Sequence, residues 1–279
     1  MWMDFLQRSL WMFPVYAFLG WCMETAFETI RAGKFINRGF LNGSICPIHG
    51  IGAICVVAIL SPVRENLLLL FFGAMLIGSV VELAVGVLLK ACFQTTWWDY
   101  SDERLNLGGY ICLKFSLIWG AVGLVLLRVI HPPIASLIRI TPPRLLTVLL
   151  ILFYIYLIVD LVLSLLTVLK LNRDLQEITR LSALIRKGSD KLTKDIGTPA
   201  LRAAARLHKV TADTREKLYA KRAVMDRLNA LYNHQAAARA RLLRAFPNMK
   251  SLRSGDALRE MRTRLKARVR KPRGKEQRK

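Results

Sequence analysis

"LLLLFFGAMLIGSVVELAVGVLLKAC", residues 67–92, holds two charged side chains, Glu82 and Lys90, in an otherwise apolar run. At 1.5 Å per residue, a helix of this length exceeds the ~30 Å hydrocarbon core of a bilayer. Such a run reads as a membrane span. Comparable runs flank it at about Ser9–Ile30, Tyr110–Ile130 and Leu145–Leu169. A shorter one, Pro47–Ser61, reads as either a tilted span or a re-entrant segment. The expectation is an all-α, polytopic membrane helix bundle of about five spans.

The charge distribution divides the chain. Residues 1–170 carry 12 Lys+Arg against 9 Asp+Glu, and residues 171–279 carry 30 against 10. A hydrophobic share of 53% beside a formal charge of +23 is not the composition of one soluble domain. The expected organisation is therefore a transmembrane domain, 1–170, and a basic cytoplasmic helical tail, 171–279. Glu24 and Glu28 stand where a cleavable signal would need small residues, so the first run should remain in place. Lys170, Arg173, Arg180, Arg186 and Lys187 follow the last span and put that end in the cytoplasm. This describes a multi-pass plasma-membrane protein with a cytoplasmic C-terminus. Loops 31–46 and 93–109 then share the cytoplasmic side, although Arg139 and Arg144 in the outward connector 131–144 oppose that orientation.

Ionisable residues inside spans are costly and generally face the bundle interior. Glu24 and Glu28, four apart, share one helix face. Glu82 lies past the middle of the third span and Asp160 in the second half of the fifth. For each, the plain alternative is pairing that fixes helix register; Glu28, near a span end, could be interfacial. Five cysteines show no CxxC spacing, which argues against a disulfide framework or a zinc site. No metal or cofactor is expected.

Two polar loops interrupt the apolar pattern. "GKFINRGFLNGSICPIHG" (33–50) combines Asn37, Arg38, Cys46 and His49 with several glycines. In "TTWWDYSDERLNLGGY" (95–110), Trp97, Trp98 and Tyr100 suit an aromatic belt at headgroup level. Asp99 sits between aromatics, and Asn106 before Gly108-Gly109 reads as a tight turn. Lys114 either snorkels to the surface or neutralises a buried carboxylate. Asn37, Arg38, His49, Asp99 and Asn106 are expected to converge with Glu24 and Glu82 in one cytoplasm-facing polar cavity. The glycines of 33–52 suit either a segment dipping to membrane depth, where protein or trapped water must satisfy the backbone, or an ordinary interfacial loop.

Over about residues 15–125 the sequence resembles a family of small bacterial membrane proteins named Putative ABC-transporter type IV, or ABC transporter permeases. The matching strings are Gly20-Trp21, Glu24, "NRGFLNG" (37–43), "CPI" (46–48), Glu82, "WWDYS" (97–101), Asn106, "ICL" (111–113) and Trp119-Gly120. Ser44 stands where the family usually has Pro, and His49 where it usually has Tyr. The resemblance implies a transport permease. No GxxxxGK[ST] loop is present, so ATP-driven transport would need a separate ATPase subunit.

In the tail, Leu171, Leu175, Ile178, Leu181 and Ile185 continue the last helix as an amphipathic stretch. "KGSDKLTKDIGTP" (187–199) should break it, before a second helix from about Ala200 to Ala245 that Pro247 ends. Leu207, Leu218, Leu228, Leu231 and Leu242 are its expected contacts, in a hairpin or a coiled coil between subunits of a homo-oligomer. The charge suits anionic lipid headgroups or a docking partner. Nucleic acid is disfavoured, because no recognised fold accompanies the charge. Three functions fit this sequence: a permease subunit, an intramembrane enzyme acting on a lipid or lipid-linked headgroup, and a non-catalytic scaffold or regulator. Cys46 and His49, three apart, are the only thiol–imidazole pairing the loops offer.

Overall fold

A computed structural model describes residues 2–196, 212–233 and 237–270. It is an all-α membrane bundle, and the contacts divide it into two compact units. The first comprises Met1–Val168 with Arg241–Lys250; the second comprises Leu169–Ala240 with Ser251–Lys279. In chain order the first unit holds α1 (Trp2–Ala32), α2 (Pro47–Leu60), α3 (Leu67–Phe93), α4 (Leu113–Val125), α5 (His131–Ile140) and the start of α6 (Pro143–Ile196). Among the described residues, three helical stretches are long and apolar enough to cross a membrane: Leu67–Phe93, Leu113–Ile140 and Pro143–Arg186. α1 is 31 residues long but carries Glu24, Glu28 and Arg31 in its second half.

Each helix answers to local chemistry. The Asn66 side chain accepts from the N–H groups of Leu68 and Leu69, both at 3.1 Å, and starts α3. Pro14 lies inside α1 and cannot donate to the Leu10 carbonyl; the Tyr154 hydroxyl donates to that carbonyl instead, at 3.2 Å. The connector expected over 131–144 is largely helix. α4 runs through a π turn, Leu126–Ile130, into α5. Pro132 and Pro133 have no N–H to give, and a π turn directly before them absorbs that loss without stopping the helix. The Pro-Pro pair therefore marks a change of pitch here, and the fourth apolar stretch is longer than the sequence suggests.

α2 has 14 residues, about 21 Å at 1.5 Å per residue. The preceding segment explains its shortness. Residues 33–46 turn back along α1: the Ile36 N–H reaches Thr29 Oγ1, Arg38 reaches Glu28 and Glu24, and the Asn37 carboxamide accepts from the Trp21 indole. The Cys46 N–H ends on the Ala17 carbonyl at 2.9 Å. Ala17 lies 15 residues before the end of α1, a retreat of about 22 Å along the helix. α2 continues in the same direction, with Gly50 against Phe13 and Ala17. The segment expected to be a tilted span or a re-entrant segment is the second half of a longer unit, non-helical over 33–46 and helical over 47–60.

An unwound strand among apolar helices must have its backbone groups satisfied by protein. Asp160 of α6 accepts from the N–H groups of Asn42 (3.0 Å) and Gly43 (2.7 Å). Ser164 accepts from the Asn42 N–H and side-chain amide and donates to Asp160. The Arg241 guanidinium donates to the carbonyls of Gly39 and Phe40 at 2.7 and 3.1 Å. Leu41 and Ile45 point into an apolar cluster with Ala17.

The second unit is helical: the later part of α6, then α7 (Ala212–Asn233), the first residues of α8 (Ala237–Ala245), and α9 (Gly255–Arg270). Leu171, Leu175 and Ile178 are buried, as are Leu228, Leu231, Leu258 and Met261. Arg239 and Asp174 form a buried ion pair. Arg264 lies 4.1 Å over the Tyr232 ring. The break expected from residue 187 does not occur within α6, which runs through Gly188 to Ile196; one glycine costs a helix only about 1 kcal/mol. Residues 197–199, Leu207 and the side chain of Leu218 lie outside the described residues. α8 ends before Pro247, and Leu242 is buried in the first unit.

Candidate functional site

The unwound segment carries Arg38 between two carboxylates of α1. Its guanidinium pairs with Glu28 and, through Nε, with Glu24 at 3.3 Å. The Glu28 side chain is 4% exposed, a buried partner of Arg38. A cation between carboxylates four apart removes the repulsion their spacing would otherwise impose. On the other side of Glu24 is His49, near the start of α2, with Nε2 at 3.7 Å. Its Nδ1 lies 3.1 Å from Cys46 Sγ. The His49 ring packs against Gly20, where any Cβ would overlap it, and near Trp119.

Glu82 of α3 is buried and holds two donors, the Tyr100 hydroxyl and the Trp119 indole N–H, each at 3.0 Å. Burial and the adjacent Glu82 carboxylate push the Tyr100 phenol well above its usual pKa; Glu24 adds to the rise and Arg38 opposes it. Tyr100 therefore stays protonated as a donor and is electrostatically tied to both halves of the cluster. Glu24, Glu28, Arg38, His49, Glu82, Tyr100 and Trp119 form one polar neighbourhood.

A cavity of about 340 Å³ lies between α1, α2, α3 and α4. His49, Glu82 and Trp119 are among its walls; the rest is mainly apolar. Arg38, Asn37, Asp99 and Asn106 do not line it. Of the polar residues expected to converge, His49 and Glu82 are among its walls, and Glu24 and Trp98 also lie outside them. Asn37 instead braces the unwound segment, bonding the Asn42 carbonyl and the Gly39 N–H as well as Trp21.

The loop 94–112 is a separate construction, opening on the short strand β1 (Thr95–Thr96). Asp99 accepts from Ser101 and pairs with Lys250, whose ammonium, with the serine, pulls the Asp99 carboxyl down to about 2. Asn106 donates to the Ser101 and Glu103 carbonyls and accepts from the Gly109 N–H. It begins a hairpin of β2 (Asn106–Leu107) and β3 (Ile111–Cys112), whose Gly108 and Gly109 have φ of +59° and +74°. The Trp98 indole donates to the Tyr110 carbonyl. Lys114 snorkels, pairing with Glu103 at the surface rather than with a buried carboxylate. These residues shape the loop that delivers Tyr100 to Glu82.

Three partners in this arrangement, Ser164, Trp119 and Arg241, have roles that sequence reasoning missed. Ser164 follows Asp160 by one helical turn, and that spacing is a readable signal. Nothing local marks Arg241, whose partners lie about two hundred residues away. Among the described residues, no group of His, Cys, Asp and Glu is arranged to hold a metal ion.

Apolar helices with ionisable side chains set inside them define a polytopic membrane protein. The chain belongs to the family described as Putative ABC-transporter type IV, which matches residues 11–165, from α1 through most of the apolar part of α6. No curated protein and no solved structure matches it.

Proposed function

We propose that the protein is the membrane-embedded permease subunit of a transporter, in the plasma membrane with its C-terminus in the cytoplasm. The observation that carries this reading is the start of α2. The helix begins beside Ala17, deep along α1, where an unwound half-span meets it. Broken spans of this kind, with ionisable groups at the break, are how transporters build midplane binding sites. Arg38 supplies a cation that an anionic group can engage by displacing Glu24; Glu82, with Tyr100 and Trp119, supplies a second polar contact. The five crossings are α1, the composite 33–60, α3, α4–α5 and α6.

The chain has no phosphate-cradling loop, so an ATP-driven mechanism would draw on a separate ATPase subunit. The tail would meet anionic headgroups and, through its helices, a second copy of the chain. Affinity purification from native membranes tests this reading. An ATP-hydrolysing subunit should co-purify, and Arg38→Gln should lower vesicle ATPase turnover at least tenfold while the complex stays assembled. A purified chain with no ATPase, together with an Arg38→Gln variant lost from the membrane, would contradict it.

One contact favours a second reading, catalysis on a lipid-linked headgroup: the 3.1 Å approach of Cys46 Sγ to His49 Nδ1. Cys46→Ser would abolish activity under that reading and leave the permease working.

A further inference from the structure

The cavity between α1, α2, α3 and α4 has a direction. α1 and α3 end, and α2 and α4 begin, toward the loops 33–46 and 94–112. His49, Glu82 and Trp119 line the cavity at that end; Tyr16, Val56 and Leu126 line it at the other. Its volume of about 340 Å³ falls within the ~300–1,000 Å³ of small-molecule pockets. The glycines of its wall separate by function. A Cβ at Gly78 would press on Trp119 at 2.7 Å, and one at Gly20 or Gly123 would overlap His49 or Ala74, so these three let helices approach. Gly52 differs: a Cβ there meets only Val81 Cγ1, at 4.0 Å. Gly52 leaves space open.

The polar end holds an unsatisfied group. The His49 side chain is 10% exposed, and its Nε2 makes no hydrogen bond; Glu24 at 3.7 Å is beyond bonding range. Nε2 faces Glu24, outside the cavity lining, so it is the imidazole face of His49, with Glu82 and Trp119, that makes this end of the cavity polar. An apolar barrel with one polar end, inside a membrane protein, has the chemistry of an amphiphile's binding site. We propose that this cavity binds the hydrocarbon chain of a membrane amphiphile, with the polar end of the molecule at His49 and Glu82. The proposal rests on the permease reading for the use made of the site and names its substrate class as lipid-like. Acyl and isoprenyl chains share the required chemistry.

Photolabelling the full chain in bilayers tests this. One set of bilayers contains phosphatidylglycerol with a diazirine near the end of one acyl chain; the other contains a diazirine-bearing polyprenyl phosphate. After irradiation, peptides are mapped by mass spectrometry. At least one probe should label cavity residues such as Val56 and Val122. Gly52→Leu, which fills the open wall, should cut that labelling at least tenfold while labelling of the exposed α3 residues Phe72 and Leu76 persists. Val122→Phe, entering from the opposite wall, should do the same and covers any failure of the first variant to fold. The probe that labels identifies the source of the chain. Labelling confined to the exposed face of α3 with both probes, unchanged by either variant, would overturn the proposal. Because labelling reads binding and not ATP turnover, its failure is distinct from failure of the permease reading.

Discussion

Asp160 satisfies two backbone N–H groups, those of Asn42 and Gly43, with one carboxylate. Its role is to hold the unwound segment in place, and a structural effect is therefore expected on removing it. Asp160→Ala should destabilise the protein by about 1–3 kcal/mol for each N–H left unpaired, read as a lower unfolding midpoint in detergent. Asp160→Asn, which keeps one acceptor, should cost less. Asp99 behaves differently because its partner is Lys250. Its carboxyl is held at about 2 in the folded chain, against ~3.9 when unfolded. A depressed carboxylate pKa adds stability that is complete above the unfolded value and is lost as pH falls through the folded one. Lys250, raised by the same contact, adds stability that is complete below its unfolded pKa and fades as pH rises through the folded value. Unfolding measured between about pH 4 and 2 should show this acid slope, and Lys250→Met should flatten it.

At the scale of elements, legibility in the sequence followed the strength of each local signal. α3 and the apolar part of α6 were readable because water excludes an unbroken apolar run of that length from almost any setting except a bilayer. α5 was not, because Pro132-Pro133 reads as a stop unless the preceding turn widens. The unwound segment was only partly readable. Its glycines and asparagines suit a surface loop equally well, and the distinction lies in Asp160, Ser164 and Arg241, all far along the chain. Glu24, Arg38 and Glu82 were identifiable as ionisable groups beside apolar runs. Which of the neighbouring polar residues join them depended on register: Tyr100 turns in to Glu82, while Asp99, one residue earlier, turns out to Lys250. Close helix contacts at glycine give a further test. Gly78→Ala puts a methyl group 2.7 Å from Trp119 Cβ, and overpacking of this kind costs about 1–3 kcal/mol. The variant should show a lower melting temperature, and Trp119→Ala in the same chain should recover part of the loss.

At the scale of the whole molecule, the family match ends at residue 165, and the basic tail beyond it is mainly helical where described, with a non-helical stretch over 246–254. The matched part contains both loops, the cavity and every residue of the polar cluster. Its central feature is a segment made of two halves, non-helical over 33–46 and helical over 47–60, with Arg38 and His49 near the junction. Substituted-cysteine labelling measures that feature most directly. Phe35 is 71% exposed, whereas Ser44 lies among Pro14, Val15, Phe153 and Tyr156. In a chain lacking its five native cysteines and held in intact membrane vesicles, Phe35→Cys should react rapidly with a membrane-impermeant maleimide from one side. Ser44→Cys, nine residues later, should react at least a hundredfold more slowly from either side. Equal, rapid labelling of both positions from the same side would make 33–46 an ordinary surface loop and contradict the account.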